Sequence, residues 1–374
     1  MSHDCLGHSN QHPIVRGMKN RRNWVMRMAS GREEYDKLKV GTRVLFPYSS
    51  HARRATMLHR MEARMLPQTI NWLLESDLAS IRYKTLKTLH GLSDQDPLLH
   101  SERQSIVHSA PIQTLLSAQT AQGSWPNEKS YYTPKYTSTH WSMLILHEAA
   151  VPGDHPVYHR GVKYMLAATR DELNRCLDQG TSGLACFWGN LHRYALAADP
   201  ENPKVLEALQ TYLEREALHT RWQCKHNNGL PCAWGAARST WALAALPAKF
   251  QTEATHTAIA SAVSFLLEEH SLFPVSYPPT THVHSIWSRL NFPLFYQADI
   301  LFVLRVLAEI NMLRHPGAAP ALDWLQKRSS KNGRWRGASP FRKRTWPGIA
   351  ESGETDRWVS LQALQVLRPT RPAH

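Results

Sequence analysis

Four residues near the middle of the chain have the types and spacing to share an ion or a reactive thiolate. Cys186 and Cys232 each open a helix-like run, and Cys224 and His226 lie in the turn before the second run. Zinc accepts thiolates and an imidazole nitrogen in a tetrahedral set. Packed helices about 8–10 Å apart bring facing corners within reach of one such ion, and helix N-termini favour the thiolate form. Cys186, Cys224, Cys232 and His226 are therefore the expected metal ligands, and zinc is the cofactor they would hold. Their spacing matches no common zinc-finger pattern. Two other readings stay open, since buried cysteine often packs as a small hydrophobe and one thiol could serve as a nucleophile. With Cys5 and Cys176 the cysteines number five. An odd count, in a chain whose first residues lack a secretory apolar core, argues for reduced thiols in the cytoplasm over a disulfide framework.

Asp299 stands alone in an apolar run with Phe292, Leu294, Phe295, Tyr296, Ile300, Leu301 and Phe302. A carboxylate there is costly unless paired or functional, and burial would raise its pKa. It is the candidate catalytic residue, a general acid able to protonate an alkene; the competing reading is a hydrogen bond within its helix or a pair with Arg305 or Arg193. Asn190 and Arg193, four and seven positions after Cys186, would form a polar patch at the mouth of a cavity. Trp141, Trp188, Trp234 and Trp287 are the remaining candidate ligand contacts, with His140 and Trp358 at the same end, because aromatic faces stabilise a cation. Packing the turns is the other use for these tryptophans.

The elements that must position these groups repeat. Cys-x-Trp-Gly occurs at Cys186 and again at Cys232, 46 positions on, a period that points to stacked helical hairpins. Five copies can be traced. The outer helices are expected at Pro111–Ala118, Tyr158–Leu173, Lys204–Leu218, Thr255–Glu269 and Ala319–Gln326, with Val205, Leu206, Leu209, Leu213 and Leu218 marking the apolar stripe of the third. Their inner partners are expected at Thr137–Ala149, Cys186–Ala198, Ala233–Leu246, Phe295–Ile310 and Arg357–Leu367. A sixth hairpin, Pro67–Glu75 and Leu78–Leu92, precedes them. Apolar residues recur at the three-to-four spacing of one-sided helices. Six such hairpins favour closure into a ring around a central cavity over an open solenoid.

At this point the chain resembles a known superfamily. QTAQGSW at Gln119–Trp125 matches the Q-x-x-x-G-x-W turn of squalene-hopene and oxidosqualene cyclases, and NGRW at Asn332–Trp335 looks like a degraded copy. THWSMLIL at Thr139–Leu146 and STWALAAL at Ser239–Leu246 are similar to helix openings of the terpene cyclase and protein prenyltransferase superfamily. IRYKTLKTL at Ile81–Leu89 and NFPLFYQADIL at Asn291–Leu301 resemble segments of a bacterial branch labelled squalene-cyclase-like. The resemblance covers about Leu66 to Leu367 and implies an all-α fold, an α/α toroid of about six hairpins. It also implies an apolar, isoprenoid-like ligand in the central cavity. Protein prenyltransferases and lanthipeptide cyclases hold zinc through Cys and His in similar toroids, which implies the alternative of a zinc-dependent enzyme activating a thiol or water. The sequence departs from the superfamily in lacking both the D-x-D-D and the D-D-x-x-D motif, so a catalytically silent binding scaffold is the third reading. Asp94-Gln95-Asp96 reads instead as a turn that caps a helix, and no P-loop, G-x-G-x-x-G or G-x-S-x-G motif appears.

Charge narrows the partners. The formal net charge is +14 over 374 residues, but residues 1–65 hold 13 Lys and Arg against 5 Asp and Glu, and residues 326–374 hold 11 against 3. The body between is close to neutral, which argues for solvated basic ends and against a nucleic-acid partner. No run reaches the 18 or so apolar residues of a membrane span. Residues 1–55 lack a periodic apolar face and read as a mobile basic extension, leaving 66–368 as the toroid.

Overall fold

Pro, Asp and Thr residues punctuate the chain where its helices begin. The computed structural model describes residues 66–126, 129–181, 184–277 and 283–368, and the expected extension, 1–55, lies outside them. The described helices belong to one compact unit, His59–His374. Among the described residues there are 13 helices and no strand. Helix α1 covers 66–74. Helix α2, Ala79–Thr85, continues through a π turn, Leu86–His90, and stops at Gly91 in the left-handed region, φ 73°. Then come α3, Pro97–His108, and α4, Ala110–Ser117. Asp96 accepts a hydrogen bond from the Leu98 N–H at 2.9 Å and caps α3, which is the role the turn reading assigns it, although α3 itself was not expected as a separate helix.

The hairpins follow in order: α5, Thr139–Glu148, with α6, Pro156–Asp178; α7, Ala185–Leu196, with α8, Glu207–Arg215; α9, Ala233–Leu243, with α10, Glu253–Ser264; α11, Ile300–Glu309, with α12, Ala319–Lys327; and last α13, Ser352–Leu367. Helices α8 and α10 each run on into a π turn, Glu216–Thr220 and Phe265–Glu269. A 3-10 turn at Pro203–Leu206 enters α8 and changes the phase of its stripe. Leu206, Leu209, Tyr212 and Leu213 are buried, whereas Val205 is 64% exposed and Leu218 36%. Helix α5 packs on α7, α7 on α9, α9 on α11, α11 on α13 and α13 on α2, while α6, α8 and α10 pack on one another with charged faces outward.

Two turns repeat atom for atom. The Trp125 indole N–H donates to the Leu115 carbonyl at 2.9 Å, and the Trp335 indole to Leu325 at 2.8 Å, each ten residues upstream. Each Trp backbone N–H meets a hydroxyl of the following inner helix, Thr139 at 3.3 Å and Ser360 at 2.8 Å. Two residues before each Trp sits a glycine at positive φ, Gly123 at 96° and Gly333 at 70°. The NGRW turn is thus a backbone copy of the QTAQGSW turn, with Ser329 where Gln119 ties the Gly123 and Val157 carbonyls.

The glycine of Cys-x-Trp-Gly has its own reason. A Cβ at Gly189 would lie 2.6 Å from the Arg238 carbonyl oxygen and 2.9 Å from the Ser239 nitrogen, so the backbones of α7 and α9 touch there. At the equivalent Gly235 the nearest atom would be the Ala185 Cβ at 3.3 Å. Gly189→Ala should therefore cost about 1–3 kcal/mol by wedging two backbones apart, and Gly235→Ala distinctly less. Urea unfolding of the two variants measures the difference, and equal losses would show that α7 and α9 do not meet at Gly189.

Candidate functional site

Helices α5, α7, α9, α11 and α13 pack in turn, and the segment that enters α11 is tied to α7 and α9. Helix α11 begins at Ile300, not at Phe295 as expected. Residues 291–299 are an irregular, buried segment that Asp299 terminates as a helix cap, accepting from the Phe302 N–H at 2.8 Å. The other Asp299 oxygen accepts from the Asn291 backbone N–H at 2.8 Å and side-chain amide at 2.9 Å. Asn190 donates to the Phe295 carbonyl at 3.0 Å. The buried Arg238 guanidinium donates to the Gln297 carbonyl, with Nε at 3.1 Å, and lies 3.8 Å over the Phe302 ring. Asn190, Arg238 and Asp299 thus hold segment 291–299 in place.

The open space lies at the end of that segment. A cleft of about 220 Å³ is lined by Tyr136, Tyr296, Phe341 and Pro340, by the buried Asn291, Gln297 and Ile286, and by the exposed His284, Ser285 and Arg289. Asn291 and Gln297 are buried, and the side-chain carbonyl oxygen of each has no hydrogen-bond partner. Cations back the aromatic walls, Lys135 at 5.1 Å over Tyr296 and Arg344 at 4.9 Å over Tyr136. A smaller void of about 10 Å³, among Leu78, Ile112, Ile145, Phe292 and Trp358, is apolar.

The candidate site residues separate. Trp234 is half-buried beside the cleft, 5.9 Å from Tyr296, 5.4 Å from His284 and 6.2 Å from Trp287. Trp141 is buried behind the wall, its indole N–H donating to the Tyr132 carbonyl at 2.9 Å. Trp188 packs on Tyr212, between α7 and α8, and lines no part of the cleft. Arg193 is not at the mouth: it donates to the Trp241 carbonyl at 2.7 Å and pairs with Glu309 at 2.8 Å, near the far ends of α9 and α11. Asn190 is an internal tie and not part of an open patch. Tyr136, Tyr296, Phe341, Asn291, Gln297 and Arg289 were not singled out as ligand contacts. The signal was present in Pro293 and in the Asp299 cap signature, which mark 291–299 as a loop.

The thiols converge without forming a metal site. Segments 222–224 and 230–232 run antiparallel about the Gln223–Pro231 bridge, with the Cys232 N–H donating to the Trp222 carbonyl at 3.0 Å. Cys224 and Cys232 are diagonal neighbours there. The neighbouring Cys232 thiol pulls the Cys224 thiol down against some burial, helped by the backbone N–H groups of His226 and Asn227. Cys232 is raised, first by Cys224 and then by burial. Cys186 stands nearby, and burial pushes its thiol up to about 12. His226 is exposed, and among the described residues no three His, Cys, Asp or Glu side chains could hold a metal ion together. The expected set of Cys186, Cys224, Cys232 and His226 does not come together as such a group.

At the far end sits a cluster of charge. Arg305 pairs with Glu148 at 3.2 Å, Arg193 pairs with Glu309, and burial lowers the neighbouring Lys84 ammonium to about 8. Burial alone would raise the Glu148 carboxyl, but Arg305 and Lys84 outweigh it and hold it at about 2. A carboxyl held below its ordinary value adds stability that is complete above about pH 4.5 and lost as pH falls toward 2. Glu148→Gln should flatten that acid limb and lower stability at pH 7 by about 3 kcal/mol, because two cations lose their counter-charge. Urea titrations between pH 2 and 7 check both, and an unchanged acid limb would remove Glu148 from the cluster's balance.

Burial raises the Asp299 carboxyl to about 6, with the Phe302 and Asn291 donors pulling against it. Replacing it with Asn puts an amide donor against at least one N–H, so Asp299→Asn should cost about 1–3 kcal/mol. A general acid with no structural task would instead leave the urea midpoint where it was.

No protein-family model, no curated protein and no solved structure matches the chain.

Proposed function

We propose that residues 66–368 close into an α/α ring of the kind shared by terpene cyclases and protein prenyltransferases, and that the ring binds a small aromatic or unsaturated organic acid in the cleft at one end. Ring closure is supported by the packing of α13 on α2. Hydrogen bonds between the first and last hairpins support it too, Thr69 to the Asn332 carbonyl at 3.0 Å and Gln365 to the Thr88 hydroxyl at 2.9 Å.

The observation that carries the ligand assignment is the pair of unpartnered carbonyl oxygens on buried Asn291 and Gln297, two residues that line the cleft together with Tyr136, Tyr296 and Phe341. Buried acceptors without donors cost about 1–3 kcal/mol each, and a ligand hydroxyl or amine would satisfy them. Flat aromatic walls suit an unsaturated body, and Arg289, with Lys135 and Arg344 behind the walls, suits an anionic group. At about 220 Å³ the cleft falls below the roughly 300–1,000 Å³ of drug-sized sites, so the ligand is a short acid and not a long polyprenyl chain. Binding, with no catalytic aspartate required, is the function this chemistry supports.

Calorimetric titration with 4-hydroxybenzoate, which carries ring, hydroxyl and carboxylate together, tests the reading. Saturable binding is expected, weaker for benzoate and for phenol, and reduced about tenfold by Arg289→Ala. Tyr296→Ala should weaken it as well. Equal affinity for the wild type and both variants would place the ligand elsewhere, and no binding of any of the three acids and phenols would remove the cleft as a site for this class.

A further inference from the structure

Resting on the reading of the cleft as a site for a small aromatic acid, we infer that its ligand is an arylamine of the aminobenzoate type, whose neutral ring-bound NH2 donates to the side-chain carbonyl oxygens of Asn291 and Gln297. Asn291 is held in one orientation. Its amide nitrogen donates to the Ile286 carbonyl at 3.0 Å, to the Arg289 carbonyl at 2.8 Å and to Asp299 at 2.9 Å, and its backbone N–H donates to the same Asp299 oxygen at 2.8 Å. Three acceptors around one nitrogen settle which way the amide points, since turning it over would set its oxygen against all of them. The oxygen is the atom left over, buried and without a donor. A carboxylate that accepts from an amide N–H also polarises that amide toward its oxygen, so Asp299 makes this acceptor a stronger one.

Gln297 supplies the second acceptor. Its backbone carbonyl is taken by the Arg238 guanidinium, while its side-chain oxygen is buried with no donor. A cleft of about 220 Å³ holds one short ligand, so one molecule has to serve both oxygens. A ring hydroxyl brings one hydrogen and two lone pairs that themselves ask for donors. An arylamine brings two hydrogens, and its lone pair is delocalised into the ring, so it is a donor alone and the complement of two acceptors. The surroundings also select its charge. Among the described residues that line the cleft there is no Asp or Glu, whereas Arg289 lines it and Lys135 and Arg344 lie over its Tyr296 and Tyr136 rings. An alkylammonium group would meet cations with no counter-charge. An arylamine is neutral at pH 7, and the carboxylate on the other side of its ring suits Arg289.

Calorimetric titration of the full-length protein with 4-aminobenzoate, 4-hydroxybenzoate, 3,4-dihydroxybenzoate and 4-methylbenzoate separates the donors while keeping ring and carboxylate. The amine should bind about tenfold more tightly than 4-hydroxybenzoate, the gain expected from one further satisfied acceptor, and 4-methylbenzoate should bind more weakly than either. Gln297→Met keeps the length of the side chain and removes its oxygen, so it should narrow the gap between the amine and the methyl compound. The wild-type ranking stands even if that variant fails to fold. Equal affinity for the amino, hydroxy and methyl acids, or tightest binding of 3,4-dihydroxybenzoate, would overturn the amine assignment and leave the acid site standing. No binding of any of the four would remove the site and the assignment together.

Discussion

The contact between the Arg238 guanidinium and the Gln297 carbonyl is the constraint on which the rest of the described body turns. A buried cation needs acceptors and a polarisable surface. Here a backbone carbonyl supplies the first, and the face of Phe302 the second. With Asn190 holding Phe295 and Asp299 holding Asn291, the segment 291–299 is pinned at its start, middle and end. The cleft residues Tyr296, Gln297 and Asn291 are part of that same segment. Losing the guanidinium would release these cleft residues along with the packing between α9 and α11.

The two ends of the helix array differ in chemistry for a reason rooted in backbone polarity. One end carries thiols, tryptophans and the cleft, close to helix starts whose N–H groups favour electron-rich partners. The other gathers Lys84, Arg193 and Arg305 with Glu148 and Glu309, and cations are favoured near carbonyl-rich helix ends. Glu148 sits on the unfavourable side of that rule at the end of α5 and is kept ionised by Arg305 and Lys84.

Much of the helix order was legible because repeats leave local marks. The Cys-x-Trp-Gly copies at Cys186 and Cys232 put a glycine where α7 and α9 meet, and the Gln119–Trp125 turn fixed the place of its distant copy at Trp335. Legibility failed where one residue type serves two ends. The run from Phe292 to Phe302 looked like a continuous buried helix because apolarity alone does not distinguish a buried loop from a buried helix, and Asp299 then looked like an isolated acid when it is the cap that divides them. Arg193 was misplaced by counting along its helix from Cys186 without knowing that α7 carries it to the far end. Cys186, Cys224 and Cys232 were grouped from their places at helix openings, but spacing alone does not tell packed thiols from ligands around an ion.

The hydrogen bond from Gln365 to Thr88 joins residues 277 positions apart in the chain, and the packing of α13 on α2 spans a similar separation. Contacts of that range form late, since the loop they close must first be ordered. During synthesis α2 is made early and waits for α13 until almost the whole body has left the ribosome, its apolar edge of Ile81, Leu86 and Leu89 open in the meantime. The intervening hairpins, each packed on its neighbour, can form as they appear. Most of the hairpins can therefore form as they emerge, and the α13–α2 contact is the one that has to wait for the last helix.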